Sequence, residues 1–371
     1  MRKGNDYMKF QLPAYTPPDF TANGLASAPD AALACAPADF VAPEKYHATT
    51  IYPEYFKING RWLLAEQSRM DCVAVVEDGQ IFVREFRHIR SGDMVVTGRT
   101  EDGREGIYVH TRGFMDPTAA RESFAFRQGR SRETAFSVDY DFLYDLLRHE
   151  REHGHIVWVM GPACAFDADS RRAYTTLVEK GYVGALLAGN ALATHDLEGA
   201  YLNTALGQDI YTQVPYPNGH YHHIDTINRV RLHGSIARFI EAEGINNGII
   251  HACHKHNVPL VLTGSIRDDG PLPEVYSDVY AGQDAMRGQL SRATTVIAMA
   301  TALHTIAAGN ITPMFRVMPS GTVRPVYFYT IDISEFAVNK LSDRGSLSAK
   351  GIITNAQDFI VHLGKELGGS T

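Results

Sequence analysis

Five short apolar runs in the second half of the chain constrain its fold more than any other feature of the sequence. Each is apolar throughout instead of alternating with polar residues, which is typical of parallel strands covered by helices on both faces. The runs are HIVWVM (155–160), YVGALLA (182–188), VPLVLT (258–263), TTVIAMA (294–300) and VYFYTI (326–331). Segments with helical spacing of apolar residues lie between them, including 169–180, 223–244 and 278–290. This alternation of strand and helix predicts an α/β domain with a parallel sheet.

The first third of the chain has a different pattern. Residues 50–112 hold short runs of alternating apolar and polar residues, separated by turns such as EDGQ and RSGD, which predicts a small antiparallel β domain. Residues 11–45 are rich in proline and alanine, which disfavours helix and central strand and suggests an extended arm on the surface. We therefore predict an arm over 1–45, a small β domain over 46–125 and a Rossmann-like α/β domain over 126–371.

Charge, cysteine content and hydropathy argue against several classes of protein. A formal net charge of −7 provides no basic excess for binding nucleic acid. The four cysteines are far apart and form no CxxC pair, so neither a zinc knuckle nor a disulfide framework is predicted. The N-terminus lacks a signal-peptide-like apolar stretch, and no apolar run of about 18 residues occurs. We expect a soluble cytoplasmic protein with neither a nucleic-acid partner nor a membrane span.

Small and polar residues follow each of the five apolar runs. In an open parallel sheet, ligands bind at the carboxyl ends of the strands, where glycine permits close backbone approach and helix N-termini favour anions. The alternative is that these residues only form turns, which glycine, asparagine and serine commonly occupy. Taken together they predict one crevice for a cofactor, formed by Gly161, Pro162, Asn190, Gly264, Ser265, His304 and Asp332.

The residues that follow the five apolar runs do not identify which nucleotide would bind, because no GxGxxG motif follows any of the runs. Asp332 stands where an acidic residue commonly accepts hydrogen bonds from ribose hydroxyls. It could equally cap the helix predicted to begin at SEFAVNKL. The sequence leaves both interpretations of Asp332 open.

The segment GSIRDDGPLP, residues 264–273, presents charged side chains in a constrained loop. Arg267, Asp268 and Asp269 stand among two glycines and two prolines. Neighbouring carboxylates can divide their roles, so that one acts as a base or binds an ammonium while the other stays ionised. The alternative is a structural salt bridge to Arg267.

Histidines cluster in GNALATHDLE, GHYHHIDTINRVR and HACHKH. His195 beside Asp196, and His222 near Asp225, are candidate acid/base pairs because a carboxylate orients an imidazole and raises its basicity. A metal site in these clusters is conceivable but is not predicted, since no matched carboxylate or cysteine set accompanies the histidines.

Several motifs resemble, in order and spacing, those of the archaeal-type ornithine cyclodeaminases, a domain also found at the C-terminus of the cyanobacterial arginine dihydrolase/ornithine cyclodeaminase. The motifs are GPA, GYVGALLAGNALATHDLE, GHYHHIDTINRVRLHGSI, LTGSIRDDGPLPEVYSDV, ATALHTIAAGN and KLSDRGS. The resemblance is strong over 138–367 and weak over 45–112, where the chain is similar to a short domain shared with lysine-oxoglutarate reductase/saccharopine dehydrogenase (LOR/SDH) proteins. It implies a catalytically used NAD and a basic amino acid as substrate, and it adds Asn310 to the candidate cofactor residues.

The chain departs from the family pattern at two places. After GPA the family usually continues with an apolar pair and His-Thr-Gly, whereas this chain has CAFDA at residues 164–168. In the pattern Thr-Lys-Leu-x-Asp-Arg-Gly, Asn339 replaces the threonine while Lys340 is retained. These departures concern substrate-facing positions, whereas the cofactor framework is kept.

The implied reaction converts ornithine, or a related diamino acid, to proline or a cyclic imino acid with release of ammonia, and it assigns roles to residue types. An Arg or Lys must hold the α-carboxylate, a carboxylate must bind the distal ammonium, and a base must deprotonate the α-amine. The candidates are Arg231, Arg267, Lys340 and Asn228 for substrate binding, Asp268 or Asp269 for the ammonium, and His195 with Asp196, or His222, for the base.

Two other functions remain open from the sequence. One is a net NAD(P)-dependent dehydrogenase or imine reductase acting on another amino acid, and the other is a non-enzymatic sensor of NAD or amino acids. A lyase of this kind releases ammonia without net NADH, whereas a dehydrogenase changes the nicotinamide absorbance. We also expect a homo-oligomer that acts on a small molecule.

Overall fold

The structure, a computed structural model, describes residues 10–21, 24–114, 137–268, 270–335, 338 and 349–369. The chain forms two compact units. The first comprises Met1–Phe142, Pro313–Val326 and Gly345–Ser348, and the second comprises Leu143–Thr312, Tyr327–Arg344 and Ala349–Thr371. The sequence did not predict that Pro313–Val326 would belong to the first unit, since residues 126–371 were assigned to one domain.

Seven strands from the N-terminal part of the chain form two antiparallel sheets in the first unit. They are β1 (Ala32–Cys35), β2 (Glu54–Ile58), β3 (Arg61–Leu64), β4 (Val73–Glu77), β5 (Gln80–Arg84), β6 (Met94–Thr97) and β7 (Ile107–Val109). The sheet orders are β1-β6-β4-β5 and β3-β2-β7. Phe56 and Ile107 of one sheet share a buried cluster with Ala74 and Val96 of the other. The predicted antiparallel β domain is confirmed, and β1, within the segment 1–45, pairs with β6 as part of this sheet.

The rest of the chain alternates strands and helices. Its elements are α1 (Ser137–His153), β8 (Ile156–Met160), α2 (Ala168–Glu179), β9 (Ala185–Gly189), α3 (Asn190–Leu202), β10 (Thr204–Ala205), β11 (Gln208–Asp209), α4 (His222–His233), α5 (Ile236–Ala242), α6 (Ile249–Lys255), β12 (Leu260–Thr263), α7 (Val279–Leu290), β13 (Thr295–Met299), α8 (Ala302–Ile311), β14 (Phe315–Val317), β15 (Val323–Pro325), β16 (Tyr327–Asp332), β17 (Ala349–Ile353) and α9 (Ala356–Leu367). β14 and β15 form the hairpin that belongs to the first unit. No helix among the described residues is long and apolar enough to cross a membrane.

The second unit is built on a six-stranded sheet in the order β12-β9-β8-β13-β16-β17, with every neighbouring pair parallel. Renumbered along the chain this order is 3-2-1-4-5-6, the order of dinucleotide-binding doubly wound folds. All five predicted runs are strands, and the Rossmann-like fold class is confirmed. The edge strand β17 was not predicted. The order of the sheet reverses between β8 and β13, so a ligand crevice is expected at their carboxyl ends.

Apolar side chains on the sheet form the core of this unit. Val157, Leu187 and Val296 pack in one buried cluster with Met286 and Leu290 of α7. The helical segment predicted over 223–244 is divided into α4 and α5, because Gly234 adopts a left-handed φ of 77° and the Ser235 side chain caps α5. This break redirects the chain, and α4 packs against α3 beside the carboxyl ends of the strands.

Candidate active site

A pocket of about 560 Å³ opens at the carboxyl ends of β8, β9, β12 and β13. Its volume is within the range of small-molecule sites. It is lined by Met160, Gly161, Pro162, Phe166, Gly189, Asn190, Ala191, Leu192, His195, Leu206, Thr263, Ser265, Ile266, Arg267, Asp268, Thr301, Leu303 and His304. The structure therefore brings together eight of the residues selected from the sequence: Gly161, Pro162, Asn190, His195, Ser265, Arg267, Asp268 and His304.

Gly161 lies where β8 and β13 approach each other. Its backbone N–H donates to the Met299 carbonyl oxygen at 2.9 Å, and a Cβ atom at this position would overlap the carbonyl oxygen of Ala300. Ala300 itself takes a left-handed φ of 55°. Only glycine lets the two strand ends come this close, so Gly161 shapes the floor of the pocket at the point where the sheet order reverses.

Two helices begin at this pocket without a side-chain cap. α3 starts after Gly189 and α8 starts after Thr301, and at neither N-terminus does a backbone N–H group donate a hydrogen bond to a capping side chain. By contrast, the side chains of Asp167, Asp278 and Asn355 cap α2, α7 and α9. Uncapped N–H groups and the positive end of the helix dipole favour an anion. The α3 and α8 N-termini could therefore hold an anionic group such as a phosphate, whereas the N–H groups of α2 are already bound by its cap.

His304 lies near the N-terminus of α8, between two strand ends. Its Nε2 atom is 2.8 Å from the Thr263 hydroxyl, and its Cε1 atom would be 3.0 Å from a Cβ at Gly189. Burial lowers the pKa of His304 below that of an exposed histidine, although the nearby Asp268 opposes the shift. The imidazole is thus neutral near pH 7 and can serve as a hydrogen-bond partner in the pocket.

Hydrogen bonds fix the loop 264–273 at several points, and three of them involve the side chains of Asp268, Asn190 and Arg231. Asp268 Oδ2 accepts from the Ser265 backbone N–H at 2.7 Å. Asn190 Oδ1 accepts from Leu272 N at 3.0 Å, and Arg231 donates to the Pro271 carbonyl oxygen at 3.0 Å. Asp268 thereby keeps Oδ1 available, and no ion pair of the Arg267 side chain is found among the described residues.

His195 projects into the pocket from α3, and its carboxylate partner is Glu198. His195 Nδ1 is 2.9 Å from Glu198 Oε2, and the His195 ring meets Phe166 edge to face at 5.6 Å. The predicted pairing of His195 with Asp196 is wrong. Residues i and i+3 share a helix face, whereas i and i+1 diverge, so the helix directs Asp196 elsewhere.

Asp196 is fully buried on the other side of α3. It pairs with Arg171 at 2.8 Å and accepts hydrogen bonds from the backbone N–H groups of Ile249 and Ile250 at the start of α6. Its carboxylate therefore connects α2, α3 and α6, and it does not line the pocket.

His222 is also not paired with its predicted carboxylate, Asp225. Its Nδ1 atom is 2.7 Å from the Thr204 hydroxyl, and that hydroxyl donates to Glu198 Oε1 at 2.9 Å. The sequence prediction missed both Glu198 and Thr204. The spacing H-x-x-E on a predicted helix could have indicated Glu198, but nothing local indicates Thr204.

Residues 143–363 match the Rossmann-fold part of the family described as arginine dihydrolase ArgZ-like, C-terminal, and residues 53–134 match its first region. The chain belongs to this ArgZ-like C-terminal family. The resemblance drawn from the motifs is thereby confirmed.

Relatives and solved structures agree with this membership. An ornithine cyclodeaminase of Methanopyrus kandleri is 36% identical over 343 residues, which are 90% of this chain and 77% of that protein. The crystal structure of a LOR/SDH protein from Methanococcus maripaludis S2 has a TM-score of 0.81 at 35% identity and covers 91% of this chain and 98% of that one. The ternary complex of AgrE with ornithine and NAD+ has a TM-score of 0.57 at 32% identity and covers 92% of this chain and 46% of that one.

In this ArgZ-like domain, the departure from the family pattern after GPA reaches the pocket. Cys164 is buried, and burial raises the pKa of its thiol, so it is unsuited to act as a nucleophile. Phe166 lines the pocket beside His195. Ala168 and Asp167 begin α2, with Asp167 as its N-cap. The departure thus places the Phe166 ring at one wall of the pocket, at the position where the family pattern has histidine.

Several predicted site residues of the ArgZ-like domain are not among those that line the pocket. Asn310 is near the far end of α8, since the helix leaves the pocket at its first turn. Asp332 Oδ1 accepts from Ser334 N at 2.8 Å, and most of the helix that Asp332 was predicted to cap lies outside the described residues, so both interpretations of Asp332 stay predictions. Asn228 and Arg231 are exposed on α4, and Gly264 packs against the Tyr276 carbonyl oxygen. Asp269 and Lys340 lie outside the described residues.

Proposed function

We propose that this chain is an NAD-dependent, ornithine cyclodeaminase-like lyase that converts ornithine, or a related diamino acid, to proline or a cyclic imino acid with release of ammonia. The observation that carries the proposal is a single pocket, at the switch point of a Rossmann sheet, that holds an imidazole, a carboxylate and a guanidinium: His195, Asp268 and Arg267. Membership of the ArgZ-like family and the similarity to AgrE, solved with ornithine and NAD+, support it.

The residues of the pocket fit a dinucleotide. The uncapped N-termini of α3 and α8 suit its phosphates, Gly161 permits close approach of the backbone, and Ser265 and His304 offer polar contacts. When bound, NAD would supply the hydride acceptor and donor of a reaction that involves no net oxidation. The protein orients the substrate and the dinucleotide and supplies the charged groups that bind them.

The chain's own residues hold the substrate and move its proton. Arg267 binds the α-carboxylate, for which a guanidinium offers a bidentate geometry. Asp268 binds the distal ammonium through Oδ1, because Oδ2 is occupied by the Ser265 N–H. His195 accepts the proton of the α-amine, which prepares Cα to lose hydride. Asp269 and Lys340 remain predicted contributors, whereas Arg231 acts by fixing the loop.

A steady-state comparison of ornithine with norvaline tests the substrate. Norvaline lacks the distal amine that closes the ring and also leaves Asp268 without its cation, so it cannot cyclise, and any ammonia release should be slower by at least about 100-fold in kcat/KM. Asp268→Asn should reduce the rate with ornithine by a similar factor while the loop stays intact, because an amide oxygen still accepts from Ser265 N. Asp278→Asn, which keeps its cap on α7, is the matched control.

Equal rates for norvaline and ornithine would contradict the proposal. A second candidate, a net amino-acid dehydrogenase or imine reductase, is favoured by Phe166, which presents an apolar wall where the family pattern has histidine. A net change at the nicotinamide absorbance, with or without ammonia release, identifies that activity.

A further inference from the structure

A buried chain of hydrogen bonds joins His195 to His222. His195 Nδ1 meets Glu198 Oε2 at 2.9 Å, Glu198 Oε1 meets the Thr204 hydroxyl at 2.9 Å, and that hydroxyl meets His222 Nδ1 at 2.7 Å. Glu198 is 0% exposed and Thr204 is 1% exposed. A carboxylate so far from solvent must be satisfied by protein donors, so every proton along this chain has a determined place.

The positions of the protons follow from counting donors. An ionised carboxylate only accepts, and a hydroxyl has one hydrogen to donate. Thr204 therefore donates to Glu198 Oε1 and accepts from His222, which requires a proton on His222 Nδ1. At the other end, Glu198 Oε2 accepts a proton held by His195 Nδ1. In the neutral His195 ring the lone pair then lies on Nε2, the nitrogen not bound to Glu198.

A backbone donor fixes the orientation of the carboxylate. Gly207 N donates to Glu198 Oε1 at 3.2 Å. Gly207 has a left-handed φ of 72°, and a Cβ there would come within 2.6 Å of the Gly219 backbone, so both its conformation and its space require glycine. The turn between β10 and β11 thus directs an N–H group at one oxygen of Glu198 and leaves the other for His195.

We propose that Glu198 is a positioning residue that fixes the His195 tautomer with Nε2 as the proton acceptor, and that Thr204, Gly207 and His222 hold Glu198 in place. This inference deepens the proposed function, since it takes His195 as the base. A carboxylate that orients a histidine and keeps its tautomer is the arrangement seen behind other histidine bases. His222 is thereby the outer end of this chain of hydrogen bonds and not an alternative base.

Glu198→Gln provides the sharpest test. The Gly207 N–H and the Thr204 hydroxyl hold the amide oxygen at the Oε1 position, so the NH2 group must face His195 Nδ1. A ring that accepts at Nδ1 carries its proton on Nε2 and cannot act as a base. We expect kcat to fall by roughly 100- to 10,000-fold with KM nearly unchanged. A kcat within about threefold of the wild type would overturn the inference.

A second pair of variants separates positioning from folding. Thr204→Val keeps the shape but removes the donor to Glu198, and kcat should fall by about tenfold or more. Thr204→Ser restores the hydroxyl and should recover the activity lost by the valine variant. Thr312→Val removes a buried hydroxyl that bonds Ala308 at the far end of α8, and its kcat should not change. Equal losses in the serine and valine variants would contradict the role of the hydroxyl.

The tautomer can also be measured without substrate. In two-bond 1H–15N correlation spectra of the whole protein, the His195 ring, assigned by its loss in His195→Gln, should show a protonated Nδ1 and an unprotonated Nε2. Glu198→Gln should reverse the pattern. A wild-type ring protonated on Nε2 alone would overturn the inference whatever the substrate. The expected tautomer without turnover of ornithine would instead count against the proposed function.

Discussion

Gly161 is the residue at which the geometry of the pocket is most tightly constrained. Gly161→Ala places a methyl group against the Ala300 carbonyl and must separate the ends of β8 and β13. We expect NAD+ affinity to fall by at least about tenfold, measured by titration of protein fluorescence or by calorimetry. Gly288→Ala on α7 is the matched control, because its Cβ meets nothing within 4 Å and an alanine in a helix is neutral or stabilising. Unchanged affinity in Gly161→Ala would argue that the nucleotide lies elsewhere.

His304 makes the stability of the protein depend on pH. Burial lowers its pKa below the ordinary value of 6.5, so on acidification the unfolded chain binds the proton before the folded chain does. The contribution of His304 to stability is therefore complete above about pH 6.5 and is lost as the pH falls below it. His304→Gln should reduce the dependence of Tm on pH between 7 and 5. Exposed His254→Gln is the control, and identical slopes for the two variants would contradict the prediction.

At the scale of elements, the buried pair of Arg171 and Asp196 connects three helices. Asp196→Asn leaves the Arg171 guanidinium buried without a counter-charge, which should reduce the free energy of unfolding by about 3–5 kcal/mol. Asp169 and Arg172 form an exposed pair on α2, the helix that carries Arg171. Asp169→Asn breaks this pair and should change the free energy of unfolding by no more than about 0.5 kcal/mol. Denaturant midpoints measure both. A small effect at Asp196 would mean that water or neighbouring groups compensate for the lost charge.

The strands and the site residues differ in how clearly a local sequence pattern predicts them. Continuous apolar runs identified five strands of the parallel sheet, because burial on both faces leaves a clear pattern. The strand β17 escaped prediction because its sequence, AKGII, holds a lysine and a glycine and so gives no continuous apolar run. Gly161 and Asn190 were found because strand ends meet at one edge of such a sheet. Glu198 and Thr204 were missed since their partnership depends on how the turn after α3 folds back, which no local pattern encodes.

At the scale of the whole molecule, the two tryptophans report on different units. Trp62 belongs to the first unit and is partly exposed, whereas Trp158 is buried in β8 and donates to the Tyr182 carbonyl at 2.9 Å. In the Trp62→Phe variant, Trp158 is the remaining tryptophan, and its fluorescence follows the unfolding of the second unit alone. NAD+ at a hundred times its Kd should raise the stability of that transition by about 2.7 kcal/mol. An unchanged midpoint at saturating NAD+ would contradict binding to the sheet.

The hairpin β14–β15 has a consequence for synthesis on the ribosome. The first unit contains residues up to Phe142 but also needs Pro313–Val326, so 184 further residues (326 − 142) must be translated before its last strands exist. At ordinary elongation rates of about 5–20 residues per second, this is a delay of roughly 10 to 40 s. Meanwhile the two antiparallel sheets of the first unit exist without the β14–β15 hairpin. By the time this hairpin has been translated, four strands of the larger sheet have been translated too, and β16 follows at once. The hairpin of the first unit and five of the six strands of the second therefore become available at almost the same time.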